Sequence, residues 1–292
     1  MRRVQVAVAL VALALATSLW LASAPGLPPV PFDPPLGDAG RGATVFAAAG
    51  CGSCHRSAGG DDPALLGGGM AFASDFGTFR APNISPGPAG IGGWSVADLE
   101  RALRHGVSPE GAHYYPAFPY TAYRNMTDGD VADLHAFLVT LPPDPTPSLE
   151  HDLAFPFGIR RGVGLWKRAF LHDGWVLAEA ATAEIGRGRY LVEALAHCGE
   201  CHTPRNFAGA LDRARWLGGA PDPAERGTIP PLTPDRLAWS AADIAFYLET
   251  GFTPDYDSAG GHMVAVIENF ATLPPQDRAA VAAYLKALPP GP

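Results

Sequence analysis

Four cysteines and four methionines in 292 residues are the scarcities that matter most in this chain. So few cysteines cannot form the disulfide scaffold of a small secreted fold. Charge is also sparse: 17% of residues are charged and 47% are hydrophobic, which excludes a disordered chain and leaves ample material for a core. Lys and Arg number 21 against 29 Asp and Glu, a formal net charge of -8. An acidic chain is a poor partner for a phosphate backbone, so nucleic-acid binding drops out. Convincing runs of alternating strand pattern are lacking as well, which argues against a sheet-built fold. Gly and Pro, by contrast, are abundant at 34 and 30, so much of the chain is expected in turns and shaped loops. The length suits one large domain or two ordinary ones.

At the amino terminus, Arg2 and Arg3 precede an uncharged apolar run over residues 6–24. Positive charge followed by such a run marks an export segment. Ala22-Ser23-Ala24 has the form of a signal cleavage site. The run also approaches the roughly 20 residues that span a bilayer, and Trp20 suits an interfacial position, which tips the balance towards an uncleaved anchor. Residues 1–24 are thus a signal peptide or a membrane anchor, and both place the body outside the cytoplasm. Residues 25–35 are Pro-rich and read as a stiff tether.

The remainder repeats itself. Gly40-Arg41-Gly42 returns as Gly186-Arg187-Gly188, and Cys51-Gly-Ser-Cys54-His55 as Cys198-Gly-Glu-Cys201-His202. Leu66-Gly-Gly returns as Leu217-Gly-Gly, Pro82 to Pro86 as Pro230 to Pro234, and Trp94-Ser95 with Asp98 as Trp239-Ser240 with Asp243. Leu141-Pro-Pro and Leu288-Pro-Pro close the copies. The expected organisation is a first domain over 36–143, a connector over 144–179 whose aromatic residues pack between the copies, and a second domain over 180–292. Ser95 with Asp98, Ser240 with Asp243 and Thr127 with Asp130 have helix-capping spacing, followed by apolar residues at helical intervals. The expected fold class is all-α, with three to five short helices per copy.

All four cysteines lie in the two C-x-x-C-H strings. In an exported protein this is the attachment pattern of a c-type haem. Two thiols one helical turn apart reach the two vinyl groups of one porphyrin, and the adjacent histidine lies under the iron. Cys51, Cys54, Cys198 and Cys201 are therefore the candidate attachment residues, and His55 and His202 the candidate proximal ligands. A zinc ribbon would bring its two Cys pairs within roughly 15–20 residues of each other, and a thioredoxin-like motif expects a βαβ context. Neither condition is met. A covalent haem also supplies the apolar body around which short helices and long loops collapse.

The modules resemble class I cytochrome c domains, and the chain resembles the cytochrome c subunits of periplasmic, membrane-associated dehydrogenases of alcohol, gluconate or aldehyde type. The strings that carry the likeness are residues 81–86, 90–94, 113–120 and 197–206. The resemblance implies two tandem cytochrome c modules, each wrapped around one of two haem c groups. It implies a di-haem c-type cytochrome without catalytic activity of its own, which relays electrons from a partner dehydrogenase towards a quinone or oxidase acceptor. It places the chain on the periplasmic side of a bacterial inner membrane, anchored there or soluble after cleavage.

Such a carrier needs a sixth iron ligand, usually a Met sulfur. Met263, expected in the loop before the last helix, is the candidate at the second haem. Gly106 corresponds to Gly251, and the same count that leads from Gly251 to Met263 leads from Gly106 to Phe118, which cannot bind iron. At the first haem Met126 or His113 is the distal candidate, or the iron is five-coordinate. Met70 is expected to pack in a loop. An open first iron would suit an alternative function, a di-haem oxidoreductase of peroxidase or thiosulfate type.

Overall fold

The computed structural model describes residues 1–26, 32–59, 62–222 and 227–291. Part of the proposed tether, residues 27–31, lies outside these. The chain is mostly α-helical, as its pattern requires. Helix α1 (Arg2–Ala22) starts at the Arg pair, is apolar over most of its length and buries no side chain. Helices α2 (Ala39–Ala48), α3 (Cys51–His55), α4 (Val96–His105), α5 (Tyr120–Tyr123) and α6 (Asp128–Leu138) build the first half. Helix α7 (Gly162–Phe170) follows in the connector. The second half consists of α8 (Ala183–Tyr190), a π-helical turn over Leu191–Leu195, α9 (Gly199–His202), α10 (Ala241–Thr250), α11 (Met263–Thr272) and α12 (Pro275–Ala287).

The helix boundaries follow local chemistry. Ser95 and Asp98, and Ser240 and Asp243, form reciprocal capping boxes at the starts of α4 and α10. Each satisfies amide groups that a helix start leaves without partners. Both helices end on a left-handed glycine, Gly106 and Gly251, the conformation in which a side chain is disfavoured. Thr127 caps α6 through the Asp130 amide.

In each half the first helix crosses the last: α2 packs on α6, and α8 on α12. The crossings are locked by matching ion pairs. Arg41 Nε and Nη2 donate to the Asp133 carboxylate at 2.6 and 2.7 Å, and Arg187 donates to Asp277 with both bonds at 2.8 Å. Planar two-bond pairing of this kind fixes orientation as well as contact. Around these crossings lies one apolar core that includes Val45, Leu66, Leu99, Leu134 and Leu138 from the first half and Leu191, Leu217, Ile244, Val281 and Tyr284 from the second.

Two details depart from an all-helical reading. Strands β1 (Ala71–Ser74), β2 (Gly77–Arg80) and β3 (Asp152–Leu153) form a small antiparallel sheet, and β4 (Ala220–Pro221) pairs with β5 (Thr228–Ile229). They are too short to have shown an alternating pattern. Moreover, the start of the connector belongs physically with the first half. Ser57 and Thr146 hold the Asp144 carboxylate, Asn83 Nδ2 donates to the Asp144 and Thr146 carbonyls, and β3 adds to β2. Further along, Trp166 Nε1 donates to the Ala208 carbonyl at 2.8 Å and Trp175 packs on Tyr190, so these two do join the connector to the second half. Phe155 does not: it is 88% exposed.

Candidate functional site

The two C-x-x-C-H strings form single helical turns, α3 and α9. A turn of helix places the thiols of Cys51 and Cys54, and those of Cys198 and Cys201, one above the other on one side. None of the four is in a disulfide. Burial pushes Cys51 up to about 12, Cys54 to about 11 and Cys198 to about 12, so these sulfurs are protonated and neutral.

The histidines are held identically. His55 Nδ1 meets the Pro82 carbonyl at 2.8 Å, and His202 Nδ1 meets the Pro230 carbonyl at 2.7 Å. A carbonyl can only accept, so Nδ1 carries the proton and Nε2 keeps its lone pair. Burial lowers both imidazole pKa values, which favours the neutral form that ligates metals. The surrounding loops repeat bond for bond. Gly68 N donates to His55 O and Ile84 N to Leu66 O; Gly219 N donates to His202 O and Leu232 N to Leu217 O. Two thiols, one oriented neutral imidazole and an apolar surround fit a covalently attached haem at each string.

The loops that carry the distal candidates also run in register. Tyr114 N donates to Gly106 O and Ala259 N to Gly251 O. The bridge Val107 to His113 matches Phe252 to Ser258. This register sets Phe118 against Met263, as the residue count implies. Met263 is not in a loop, as expected, but opens α11, half-buried. Its Gly-rich approach, Gly260-Gly261, hid the helix start. Phe118 packs edge-on against Tyr114, Tyr120 and Tyr123.

The two candidates at the first site lie in different surroundings. Met126 is 3% exposed in the core, just before the cap of α6, where the second half has buried Leu273. His113 is turned to the connector and to α1: its Nε2 meets the Ser23 carbonyl at 2.9 Å, and α7 approaches through Gly164. Met70 is half-buried and lines a surface cavity with Phe46, Ser53, Arg56 and Asn269.

Sequence reasoning missed how each attachment string is tied to the opposite half of the chain. Thr121 Oγ1 donates to Glu200 Oε1 at 2.5 Å, and Asn269 Nδ2 donates to Ser53 Oγ at 2.8 Å. Tyr123 lies edge-on to His197, whose position before the second string gave no signal of a partner.

Residues 39–142 match the family model described as Cytochrome c. The chain is 54% identical, over 99% of its length and 98% of the relative's, to a diheme cytochrome c-type protein of Cereibacter sphaeroides. It is 39% identical to the fructose dehydrogenase cytochrome subunit of Gluconobacter japonicus, over 85% of this chain and 52% of that one. It is 34% identical to the cytochrome c subunit of the quinone alcohol dehydrogenase of Gluconacetobacter polyoxogenes, over 86% of this chain and 56% of that one. The chain thus spans nearly all of the first relative and about half of the other two. It belongs to the cytochrome c family, and its cofactor is haem c.

Proposed function

We propose that this chain is a di-haem electron carrier built from two tandem cytochrome c modules, over 36–143 and 180–292. It takes electrons one at a time from a partner dehydrogenase and passes them towards a quinone or oxidase. The observation that carries the reading is the matched pair of proximal histidines, each with Nδ1 held by a proline carbonyl. The named relatives that serve dehydrogenases support the partner.

Cys51 and Cys54 would hold the first haem through thioethers, with His55 as its imidazole ligand; Cys198, Cys201 and His202 would do the same for the second. When bound, haem c supplies a one-electron Fe(III)/Fe(II) couple. The chain's own groups set the conditions for it. The Pro82 and Pro230 carbonyls hold the imidazole protons, which orients each ring and raises its basicity as a ligand. The apolar core, with Leu66 and Leu217 fully buried, keeps water away. Met263 Sδ would serve as the distal ligand of the second haem. At the first haem Met126 is the remaining sulfur donor, since His113 is engaged elsewhere.

Helix α1 is long and apolar enough to cross a membrane. We read it as a retained anchor that holds the body on the periplasmic face. Its last carbonyls are bound by the body: Arg161 Nη2 donates to Trp20 O at 2.9 Å, Arg168 Nε to Ala22 O at 2.5 Å, and His113 meets Ser23 O. Arg161 also lies over the Trp20 ring at 4.3 Å. Cleavage after Ala24 would strip Ser23 from buried His113, and Trp20 and Ala22 from the two arginines.

The test is the intact mass of the protein from cells competent in cytochrome maturation, with spectra after acid–acetone extraction. Two retained haems and an uncleaved amino terminus are expected. One haem or none overturns the di-haem reading, and a chain beginning near residue 25 overturns the anchor.

A further inference from the structure

His197 has a backbone φ of 42°, in the left-handed region. Its counterpart before the first attachment string is Gly50, with φ 63°. Glycine adopts this conformation without penalty, whereas a side chain there clashes with its own backbone. The turn into the attachment helix therefore wants glycine, and the first module has one. The second module carries a strained histidine instead.

The ring of that histidine points at the other module. The His197 imidazole stands edge-on to Tyr123, with centroids 5.5 Å apart. Tyr123 Oη donates to the Ala49 carbonyl at 3.0 Å, and the same carbonyl faces the His197 ring. Ala49 is two residues before Cys51, and His197 is bonded to Cys198. Each string is also tied to the opposite half, Ser53 Oγ accepting from Asn269 Nδ2 and Glu200 Oε1 from Thr121 Oγ1. A short path thus runs from Cys198 through the His197 ring, the Tyr123 ring and its hydroxyl to Ala49, Gly50 and Cys51.

We propose that the Tyr123–His197 pair is the junction through which electrons pass between the two haems. This rests on the haem assignment above. The step moves one electron: one iron goes from ferrous to ferric, the other from ferric to ferrous, and no bond forms or breaks and no proton transfers. The pair acts by filling the gap between the attachment edges with bonded and closely packed atoms, and the local backbone strain is retained for that contact.

The experiment uses the full-length, haem-loaded protein and three readouts: haem content with absorption spectra, thermal midpoint, and inter-haem electron exchange after pulsed reduction of a half-reduced sample. His197→Gly restores the residue type of the first module. It should fold with a midpoint at or above wild type, keep two haems with unchanged spectra and potentials, and slow inter-haem exchange several-fold. Tyr123→Phe keeps the ring and removes only the link to Ala49, so a smaller slowing is expected. It also carries the test should His197→Gly fail to fold. Exchange at the wild-type rate in either fully loaded variant overturns the proposal and assigns the path to direct transfer between the haems. A wild-type protein without two haems instead defeats the underlying assignment, and haem content separates the two failures.

Discussion

Gly42 crosses directly over Asp133: a β-carbon at Gly42 would lie 1.9 Å from the Asp133 carbonyl oxygen. Gly188 stands in the same relation to Ala280, also at 1.9 Å. The neighbour in each case is backbone, which cannot swing aside, so the helices must part to admit a methyl group. Gly42→Ala is expected to destabilise the protein by about 1–3 kcal/mol, the usual cost of overpacking, and Gly188→Ala by a similar amount. Chemical denaturation of the haem-loaded protein measures this. Unchanged midpoints would mean that the crossings are looser than the structure has them.

The carboxylates at these crossings and caps give the fold an acid limit. Hydrogen bonds from Arg41 hold Asp133 below the ordinary carboxylate range, Ser95 and Ser240 do so for Asp98 and Asp243, and Ser57 does so for Asp144. A depressed carboxylate stabilises the fold fully above its unfolded value of about 3.9. That contribution is lost as pH falls from there through the folded pKa. Stability should therefore hold near neutrality and decline below about pH 4. Asp133→Asn should lower stability at pH 7 and flatten the decline, since the group no longer titrates. Thermal midpoints of wild type and variant across this range check the sign, and parallel curves would remove Asp133 from the acid response.

Met263 is expected to set the potential of the second haem. A thioether favours ferrous iron and raises the potential. Met263→Ala should lower the potential of one haem, leave the other unchanged, and abolish a near-infrared sulfur-to-iron charge-transfer band in the oxidised protein. Retention of the full band would show that Met263 is no ligand and that its place at the start of α11 serves packing alone.

The features read from the sequence are those written in local or repeated chemistry. The capping pairs Ser95–Asp98 and Ser240–Asp243 needed only their own spacing, and the cysteine strings needed only their neighbours and their duplication. The repeat register was legible too, and the paired loops after Gly106 and Gly251 carry it. What stayed hidden depends on distant partners. The strands are two to four residues long and owe their existence to pairing rather than pattern. Met263 opens a helix without a side-chain cap, so no sequence signal marked the start. The binding of His113 by Ser23 and of Tyr123 by Ala49 joins residues far apart in the chain, and nothing in the immediate sequence of either announces its partner.

The first haem separates the carrier from an enzyme. Phe118 occupies the register position of Met263, so the first iron is expected to differ from the second in its spectra. Met126 is the sulfur that remains, buried before the α6 cap, while His113 is held between Ser23 and α7. Met126→Ala should therefore open the first iron to carbon monoxide or cyanide. His113→Ala should leave the haem spectra unchanged and instead loosen α1, since it removes the partner of the Ser23 carbonyl; faster proteolysis between residues 22 and 36 would report that. If His113→Ala rather than Met126→Ala opens the iron, the ring must leave Ser23 when haem is bound, and the site is bis-histidine with a lower potential. If the wild type already binds these ligands rapidly and neither variant changes its spectrum, the first iron is open, and turnover of peroxide or thiosulfate becomes the measurement that decides. Two equivalent His/Met spectra that both survive Met126→Ala would contradict the pairing of Phe118 with Met263 and direct attention to Met70, the one sulfur left, which lies on the α11 side of the first attachment helix.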